Sequence, residues 1–585
     1  MIHAIADIAI APDHKGLLVV PRVPRQRMEV RAILERSLSL RLRATPDGFK
    51  LPYQSANLLA IGAASGRFKW TAEALRYIEN RTLISAHHKQ VLAEIQETKS
   101  CDIKELKRRL GDSNDLRILD EHQLRNVAAM TLKDSWGLCV FDEQGVGKTV
   151  TFIYAFDLLC RNDLADITLI VAPKSMVAEW PQDFTHFKRD LYQTVVLTGP
   201  ASAKMASLSR GGDVFITNFE TVITMERELT ALLRRFRDRA VIAVDESFFI
   251  KNPDAQRTQA LKRLREWCGR AFVLCGTPAP NAAKDIIEQV NFVDCGATFE
   301  NFKLPDDDNA ARNAIADCIK ARAGFVRNLK RDVLPDLPMK VIHRIVVPLP
   351  PIQKQLYLSA LMDFKQDLLE TSDLTFRRNL TSFLARRSAM LQLCSNPAAI
   401  VEGYTETPAK FKALDSLLAE LILDHREKIV LWSFYTKTID ALIHRYAEYQ
   451  PVRYDGKVTD LGERRAAVRN FQKDEETMLF IGNPAAAGAG LTLHRSRTAI
   501  YESFSNQAAH YLQSIDRIHR RGQQRSAQYL VLLCEGTLEM HQFERLIAKE
   551  AAGYELLGDD PAETPSRESM LAEVLTNLGD LATDA

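Results

Sequence analysis

The chain has 585 residues, of which 46% are hydrophobic and 26% are charged. This composition is that of a folded globular protein and excludes a disordered or fibrous chain, and the length favours three to four domains over a single core. The net charge is only +2, from 77 Lys and Arg against 75 Asp and Glu. Bulk charge therefore indicates no polyanionic partner, and any nucleic-acid surface must be local.

The nine cysteines are scattered singly along the chain and lack the close pairs that a structural zinc site requires. We interpret them as reduced and mostly buried thiols, as in a reducing compartment. The first apolar stretch is interrupted by Asp7 and Asp13, so it predicts neither a signal peptide nor a membrane span. We therefore expect a cytoplasmic protein without a membrane partner.

The first twenty residues alternate apolar and polar residues around a DHKG turn, residues 13–16, which predicts a β-hairpin. We assign residues 1–111 to a small N-terminal accessory domain of α+β type. Seven arginines lie between Arg22 and Arg43. They are typical of a solvated helix face, while phosphate contact remains open. Residues from Trp70 to about Leu110 are predicted to form amphipathic helices.

After residue 112 the chain alternates short β-branched runs with helical stretches, which is the pattern of buried parallel strands and their connecting helices. The runs are ITLIVA, DVFIT, AVIAVD and AFVLC within residues 167–275, and KIVLW, MLFIG, TAIYE and YLVLLC within residues 428–534. Two α/β lobes are implied, residues 112–335 and 336–548, with the linker in the polar stretch 305–340. The tail, residues 549–585, holds nine acidic residues against two basic ones. It is predicted to be solvated or to face a partner.

The segment FDEQGVGKT, residues 141–149, follows an apolar run and precedes a helical stretch. Gly145 and Gly147 let backbone N–H groups approach phosphate oxygens, Lys148 can reach the β and γ phosphates, and the Thr149 hydroxyl can hold magnesium. Asp142 stands where the general phosphate-loop pattern has glycine. Taken alone, the segment predicts either a nucleotide site or a plain glycine turn.

A second segment, VIAVDESFFIKNP, places Asp245 and Glu246 at the carboxyl end of an apolar strand. ATP hydrolysis needs one carboxylate to hold magnesium and another to orient or deprotonate the attacking water. We assign Asp245 to the metal and Glu246 to the water. The alternative, two carboxylates that cap the next helix, is disfavoured because the lysine loop precedes them.

The segment YLQSIDRIHRRGQQR, residues 511–525, places Arg517 and Arg520 three residues apart, and we expect them on one face of a helix. Such a pair can stabilise the charge that develops on a γ-phosphate. The alternative is an ordinary basic helix end.

Together these segments resemble the superfamily-two helicases, and specifically their Swi/Snf-type branch, over residues 115–530. DEQGVGKT is similar to the family's DEMGLGKT, so Asp142 fits that pattern, and LDEHQL places Gln123 where the family reads adenine. Further similar segments are APKSMVAEW, ITNFE, CGTPAPN, LWSFYTKTID, YDGKVTDLGERRAAVRNFQ, AAAGAGLTL and QSIDRIHRRGQ. RNLKRDVLPDLPMK, residues 327–340, resembles the lead into the second lobe that plain helicases lack, and DESFFIKNP and VLPDLP lean toward the annealing-helicase branch.

The resemblance implies an α/β fold of two RecA-like parallel-sheet lobes, with ATP and Mg²⁺ as cofactors. It implies catalysis by Lys148, Asp245, Glu246, Arg517 and Arg520, and a magnesium site at Thr149 and Asp245. The implied nucleotide contacts are Gln123, Asp142, Gly145, Val146, Gly147, Lys148, Thr149 and Gly490. The implied DNA contacts are Lys174, Thr217, Asn218, Ser433 and Asn483.

Two positions depart from the family pattern. Phe248 stands where the family commonly has histidine and can neither donate nor accept a hydrogen bond, which leaves the coupling between hydrolysis and DNA binding open. Thr492 replaces the usual asparagine, a smaller change that we expect to be tolerated.

The implied function is a DNA-dependent ATPase that translocates along double-stranded DNA, remodelling DNA or protein–DNA complexes without necessarily separating strands. The alternatives are a strand-separating helicase on DNA or RNA, and a nucleotide-gated DNA-binding scaffold that hydrolyses ATP poorly. A protein partner could bind the N-terminal domain or the acidic tail.

Overall fold

The computed structural model describes residues 3–12, 16–111, 114–279, 283–486, 491–505, 508–555, 571 and 575. The chain divides into two compact units, and the main boundary between them lies between Leu329 and Lys330. Among the described residues, no helix combines the length and the apolar character needed to cross a membrane.

The accessory region begins the first unit with a five-stranded sheet in the order β3-β4-β2-β1-β5. Its elements are β1 (Ala6–Ile10), β2 (Leu17–Pro21), α1 (Arg27–Ala32), β3 (Arg43–Ala44), β4 (Phe49–Leu51), α2 (Ala56–Ala64), β5 (Phe68–Trp70), α3 (Ala72–Ser100) and α4 (Ile103–Arg109). Strands β1 and β2 are antiparallel neighbours. The N-terminal hairpin is therefore confirmed, although residues 13–15 of its turn lie outside the described residues.

Several arginines of the accessory region are held by the chain itself. Arg22 pairs with Asp7 at 2.7 Å, and Arg31 pairs with Glu35 one helical turn away. Arg27 donates to the backbone carbonyls of residues 45, 46 and 48. These contacts give three of the seven arginines a local structural role.

The first lobe follows in the same unit, and its strands form a seven-stranded sheet in the order β12-β6-β11-β10-β7-β9-β8. Its elements are α5 (Glu121–Met130), β6 (Gly137–Val140), α6 (Lys148–Arg161), β7 (Ile167–Ala172), α7 (Trp180–Lys188), β8 (Thr194–Val196), α8 (Ala201–Ser209), β9 (Val214–Asn218), α9 (Phe219–Thr224), α10 (Glu226–Phe236), β10 (Ala240–Asp245), α11 (Gln256–Arg265), β11 (Arg270–Leu274), α12 (Ile287–Asp294), α13 (Asp308–Arg322) and β12 (Phe325–Val326).

Every strand pair in this sheet is parallel. Strands β7, β9, β10 and β11 are buried along their whole length, which is why their sequences are continuous apolar runs without alternation. Parallel strands end at one edge of the sheet, so residues that follow β6, β7, β9 and β10 lie along the same edge.

The second unit carries the second lobe, a six-stranded sheet in the order β13-β18-β17-β14-β16-β15 with parallel pairing throughout. Its elements are α14 (Lys330–Val333), β13 (Lys340–Val347), α15 (Pro351–Glu370), α16 (Asp373–Arg378), α17 (Leu380–Ser395), α18 (Ala409–Leu418), β14 (Ile429–Trp432), α19 (Thr436–Arg445), β15 (Val452–Tyr454), α20 (Leu461–Lys473), β16 (Leu479–Gly482), β17 (Thr498–Tyr501), α21 (Ala508–Ile515), β18 (Ala527–Cys534) and α22 (Leu538–Glu555).

The second lobe packs its sheet between two apolar clusters. Phe480, Tyr501 and Tyr529 belong to one cluster, and Leu431, Ile481 and Leu532 belong to the other. A third cluster joins α15 and α17 and includes Tyr357 and Phe383. The fold class predicted from the sequence, two α/β parallel-sheet lobes with an accessory α+β domain, is confirmed.

The stretch assigned to the linker contains more structure than its sequence indicated. Helix α13 buries Ile315 and Ile319, and β12 joins the first sheet beside β6. Strand β12 has only two residues, both apolar, and two residues are too few to show a strand pattern in the sequence. The division into four domains stays a prediction.

All nine cysteines are free thiols, and six of them are buried. Their expected state, reduced and mostly buried, is thus the one in the structure. Cys394, Cys534 and the carboxylate of Glu539 cluster together, but the buried ammonium of Lys410 is hydrogen-bonded to that carboxylate. The cation already in place argues against a metal at this cluster.

Candidate nucleotide and nucleic-acid sites

The loop between β6 and α6 has the backbone geometry of a phosphate loop. Gly145 and Gly147 adopt left-handed φ angles of 84° and 97°, which side chains disfavour. A Cβ atom at residue 147 would also collide with the side-chain amide of Gln123. The glutamine assigned to adenine therefore lies directly against the loop, with Val146 between the two glycines in sequence.

Lys148 begins α6 and points back into the loop. Its ammonium donates to the carbonyl oxygens of Asp142 and Glu143 at 3.0 and 3.3 Å. Burial lowers the pKa of Lys148, while the nearby carboxylates of Glu246, Asp142 and Asp245 raise it. Thr149 follows in the first helical turn and is half-buried. The structure thus brings the lysine of the loop together with both predicted catalytic carboxylates.

Asp142 fastens the loop to its neighbours through its side chain. One carboxylate oxygen accepts from Asn126 of α5 at 2.6 Å, and the other accepts from the backbone and side-chain amides of Asn328 at 2.9 and 2.7 Å. These bonds satisfy the buried carboxylate and hold the loop against α5 and the segment after β12. In the structure Asp142 therefore has an anchoring role.

Asp245 ends β10, and its carboxylate accepts from the indole N–H of Trp180 at 3.2 Å and from the backbone N–H of Glu246 at 3.0 Å. Burial, and then the adjacent Glu246, raise the pKa of Asp245. Glu246 has φ 50° and ψ 56°, a left-handed conformation that is uncommon for a residue with a side chain. Such strain collects at functional turns.

These two carboxylates suit a divalent cation. The adjacent Glu246 raises the pKa of the buried Asp245, and a bound Mg²⁺ would offset the repulsion between the two carboxylates. Magnesium takes few protein ligands and completes its shell with phosphate and water oxygens, which fits the small donor set of Thr149 and Asp245. Both assignments stay predictions.

The residues assigned to DNA in the first lobe follow β7 and β9. Lys174 is exposed. Thr217 is fully buried with its hydroxyl donating to the carbonyl of Leu197 at 3.3 Å, and the Asn218 side chain caps α9 by accepting from Thr221 N–H at 2.8 Å. Of these three side chains, only the ammonium of Lys174 lies open to a phosphate.

In the second lobe, the helical face predicted for Arg517 and Arg520 is wrong. Helix α21 ends at Ile515, and both arginines lie in the turns that follow. The carbonyl of Arg517 accepts from Leu493 N–H at 2.9 Å, which takes an acceptor that a continuing helix would use. The two side chains nevertheless converge, because Arg517 donates to the Leu491 carbonyl and Arg520 donates to the Thr492 hydroxyl at 2.9 Å.

The remaining second-lobe assignments are buried or partly buried. Ser433 has no exposed surface and donates its hydroxyl to Glu502 at 2.8 Å. Asn483 is half-buried, donates to the Phe434 carbonyl and accepts from Ala485 N–H, both at 2.8 Å. Gly490 lies outside the described residues.

Comparisons with known proteins identify the family of this chain. A model described as the SNF2-related domain matches residues 81–399, more than half of the chain, and one described as the helicase conserved C-terminal domain matches residues 409–522. The chain belongs to the SNF2-related family. It is therefore a helicase-like ATPase by family.

Curated relatives share the family but are longer. They include an uncharacterized ATP-dependent helicase of Mycoplasma pneumoniae, 25% identical and covering 76% of this chain and 42% of that protein. A probable chromatin-remodeling complex ATPase chain of Oryza sativa is 28% identical, and the match covers 70% of this chain and 38% of that protein. A RAD54-like DNA repair and recombination protein of Drosophila persimilis is 26% identical, and the match covers 77% of this chain and 64% of that protein. The chain thus spans between 38% and 64% of the length of these relatives.

Among solved structures, the chain is similar to the SWI2/SNF2 ATPase core of Sulfolobus solfataricus in complex with dsDNA. The two are 21% identical, the match covers 74% of this chain and 90% of that one, and the TM-score is 0.36.

Sequence reasoning missed several residues that hold the predicted site residues in place. Trp180 orients Asp245, Asn126 and Asn328 hold Asp142, and Arg327 donates to the carbonyls of Phe141 and Gly276. Trp180 and Arg327 lie in segments that resemble the family, which was an available signal. Asn126 carries no pattern of its own.

Proposed function

We propose that the chain hydrolyses ATP and couples hydrolysis to translocation along double-stranded DNA, remodelling DNA or protein–DNA complexes. The observation that carries the proposal is the convergence of Lys148 with Asp245 and Glu246 at the carboxyl edge of one parallel sheet. The relatives support the proposal through their names, which describe a helicase, an ATPase and a DNA repair protein.

In the proposed reaction, backbone N–H groups of the loop and Lys148 bind the phosphates. Asp245 and Thr149 would hold Mg²⁺, which neutralises phosphate charge when bound. Glu246 orients the attacking water and takes its proton.

We infer that the second lobe contributes Arg517 and Arg520 to the γ-phosphate. Support comes from the hydrogen bonds that attach both guanidinium groups to the segment Leu491–Leu493. A fixed guanidinium stabilises developing phosphate charge without reorganising at the moment of reaction.

The test is ATP turnover by the full chain with duplex DNA, single-stranded DNA or RNA, beside displacement of a third strand from a triplex. We expect duplex DNA to stimulate turnover and the third strand to be displaced. Lys148→Ala should abolish turnover, a loss of at least about a thousandfold given the phosphate charge it neutralises. Lys133→Ala, an exposed lysine of the same lobe, is the matched control and should behave as wild type.

Other outcomes would assign another function. Stimulation by RNA or single strands without any by duplex would reject translocation on duplex DNA, and unwinding of a fluorescent duplex would favour a strand-separating helicase. Duplex binding without turnover would favour the nucleotide-gated scaffold.

A further inference from the structure

Phe248 begins a stack of three aromatic rings in the first lobe. Its ring is stacked on that of Phe249, with centroids 4.6 Å apart and planes at 26°. The ring of Phe249 then packs on Phe219, with centroids 5.1 Å apart and planes at 35°. We call Phe248, Phe249 and Phe219 the ring stack.

The ring stack joins two functional segments. At one end, the backbone N–H of Phe249 donates to the carbonyl of Glu246 at 3.1 Å, so the turn that carries the stack also carries the proposed catalytic base. At the other end, Phe219 is the first residue of α9 and directly follows Asn218, where β9 ends. Phe219 is buried, so a shift of this strand end must move its ring.

The other side of the turn is fastened to a different element. The Ser247 hydroxyl donates to the side-chain oxygen of Gln289 in α12 at 2.6 Å. This bond holds the turn to α12, whereas the ring stack holds it to the end of β9. The guanidinium of Arg257 lies 5.7 Å from the Phe249 ring centroid, which adds a cation–π contact to the central ring.

We propose that Phe249 is a positioning residue whose ring transmits contact between duplex DNA and the backbone at the β9 end to Glu246, in a turn where Phe248 stands in place of the family's histidine. This inference rests on the proposed function. Closely packed rings cannot shift independently, since interiors have solid-like packing density. A packed stack that moves as a unit between two arrangements would provide a physical route for coupling between sites.

The test compares Phe249→Leu, Phe219→Leu and the double variant with wild type. Leucine keeps apolar volume at each position but removes the ring face. Phe302→Leu is the matched control, because Phe302 packs on Phe299 at 5.2 Å in the same lobe outside the stack. The measurements are ATP turnover with and without duplex DNA, duplex affinity by fluorescence anisotropy, and thermal unfolding.

We expect both single variants to lose stimulation by DNA by about 5-fold or more, within the usual range of coupling between sites. Turnover without DNA and duplex affinity should each stay within about twofold of wild type. A change of about twofold in duplex affinity is too small to explain the lost stimulation. The double variant should lose no more than the larger single effect, because both substitutions break one stack. Phe249→Tyr, which keeps the ring, should restore stimulation.

Two results would overturn the coupling role of the ring stack while leaving the proposed function intact. One is wild-type stimulation in Phe249→Leu. The other is a parallel fall in turnover with and without DNA together with a lower unfolding temperature, which indicates a structural role alone. If duplex DNA fails to stimulate the wild-type chain itself, the proposed function and the ring stack are both rejected.

Discussion

The Thr492 hydroxyl accepts a hydrogen bond from Nη1 of Arg520 at 2.9 Å. The Thr492 carbonyl in turn accepts from the side-chain amide of Gln472 in α20 at 2.5 Å. The residue that departs from the family pattern therefore connects a proposed catalytic arginine to a helix of the second lobe. Its role in this chain is to hold a guanidinium in place.

Thr492→Val keeps the shape of the side chain and removes the acceptor, so we expect ATP turnover to fall about tenfold. A hydrogen bond to a charged group contributes about 1.5–3 kcal/mol, and about 1.4 kcal/mol corresponds to tenfold. KM for ATP should change little, because Lys148 and the loop remain intact. Thr492→Ser should retain wild-type turnover, since it keeps the hydroxyl, and a Thr492→Val variant with unchanged turnover would contradict this role.

At the residue scale, the sequence was enough to place Lys148, Asp245 and Glu246 together, because each follows a recognisable strand or glycine loop. It could not show that Asn126 and Asn328 hold Asp142, since Asn328 is 186 residues away in sequence and Asn126, 16 residues away, lies in no recognisable motif. Nor could it show that Ser433 is buried against Glu502. Burial of a single hydroxyl depends on tertiary packing, which leaves no local pattern.

At the element scale, the eight apolar runs predicted as strands are all strands, because strands buried on both faces are continuous apolar sequences. The unpredicted strands are short or lie at the sheet edge. Strand β12 has two residues, and β13 is an edge strand in which every residue but the last is half-buried or exposed. The helix predicted through Arg520 ends at Ile515, and a long-range hydrogen bond from the Leu493 N–H holds the Arg517 carbonyl in the turn that follows.

Where α3 contacts the end of α11, a buried acid has no ion pair among the described residues. Glu266 is the C-cap residue that directly follows α11, and its backbone carbonyl accepts from Asn80 of α3 at 3.3 Å. One of its carboxylate oxygens is buried without a hydrogen-bond partner among the described residues. Burial raises the pKa of Glu266 well above its ordinary value, whereas the neighbouring Arg265 lowers it but spends its own N–H groups on backbone carbonyls.

This raised pKa means that the folded state binds a proton more tightly than the unfolded state at Glu266. The contribution of this carboxyl to the free energy of unfolding is fully present below the unfolded pKa of about 4.5. It is lost as pH rises toward and through the folded pKa. Glu266→Gln should therefore become more stable than wild type as pH rises from 5.5 to 8.5, by up to about 1.4 kcal/mol per pH unit. Hydrogen exchange of the α3 and α11 amides measures this locally.

Glu228→Gln in α10, the same change of side chain outside the contact between Asn80 and Glu266, is the control for this prediction. A Glu266→Gln variant that is destabilised equally at both pH values would show that the carboxyl is held by a bond the glutamine cannot make.

At the scale of the whole molecule, the proposed function requires the chain to bind the phosphate backbone of duplex DNA. The net charge of +2 cannot supply this attraction, so it must come from local cations at the edges where parallel strands end. Among the residues predicted to contact DNA, Thr217 and Ser433 are buried and Lys174 is exposed. The exposed ammonium is the side chain that can pair with a phosphate directly.

Contacts to phosphate carry no sequence information and release counterions, so affinity should be similar for unrelated duplexes and should fall steeply with salt. In a plot of log affinity against log salt, Lys174→Ala should reduce the slope by about 0.9, the value for one lost phosphate contact on duplex DNA. The affinity loss should be equal for two unrelated duplexes of the same length, and Lys133→Ala should leave the slope unchanged. If Lys174→Ala weakens one duplex and spares the other, residue 174 reads bases and the contact is not a phosphate contact. If the slope stays at the wild-type value, the first lobe binds DNA through backbone groups or other cations along its sheet edge.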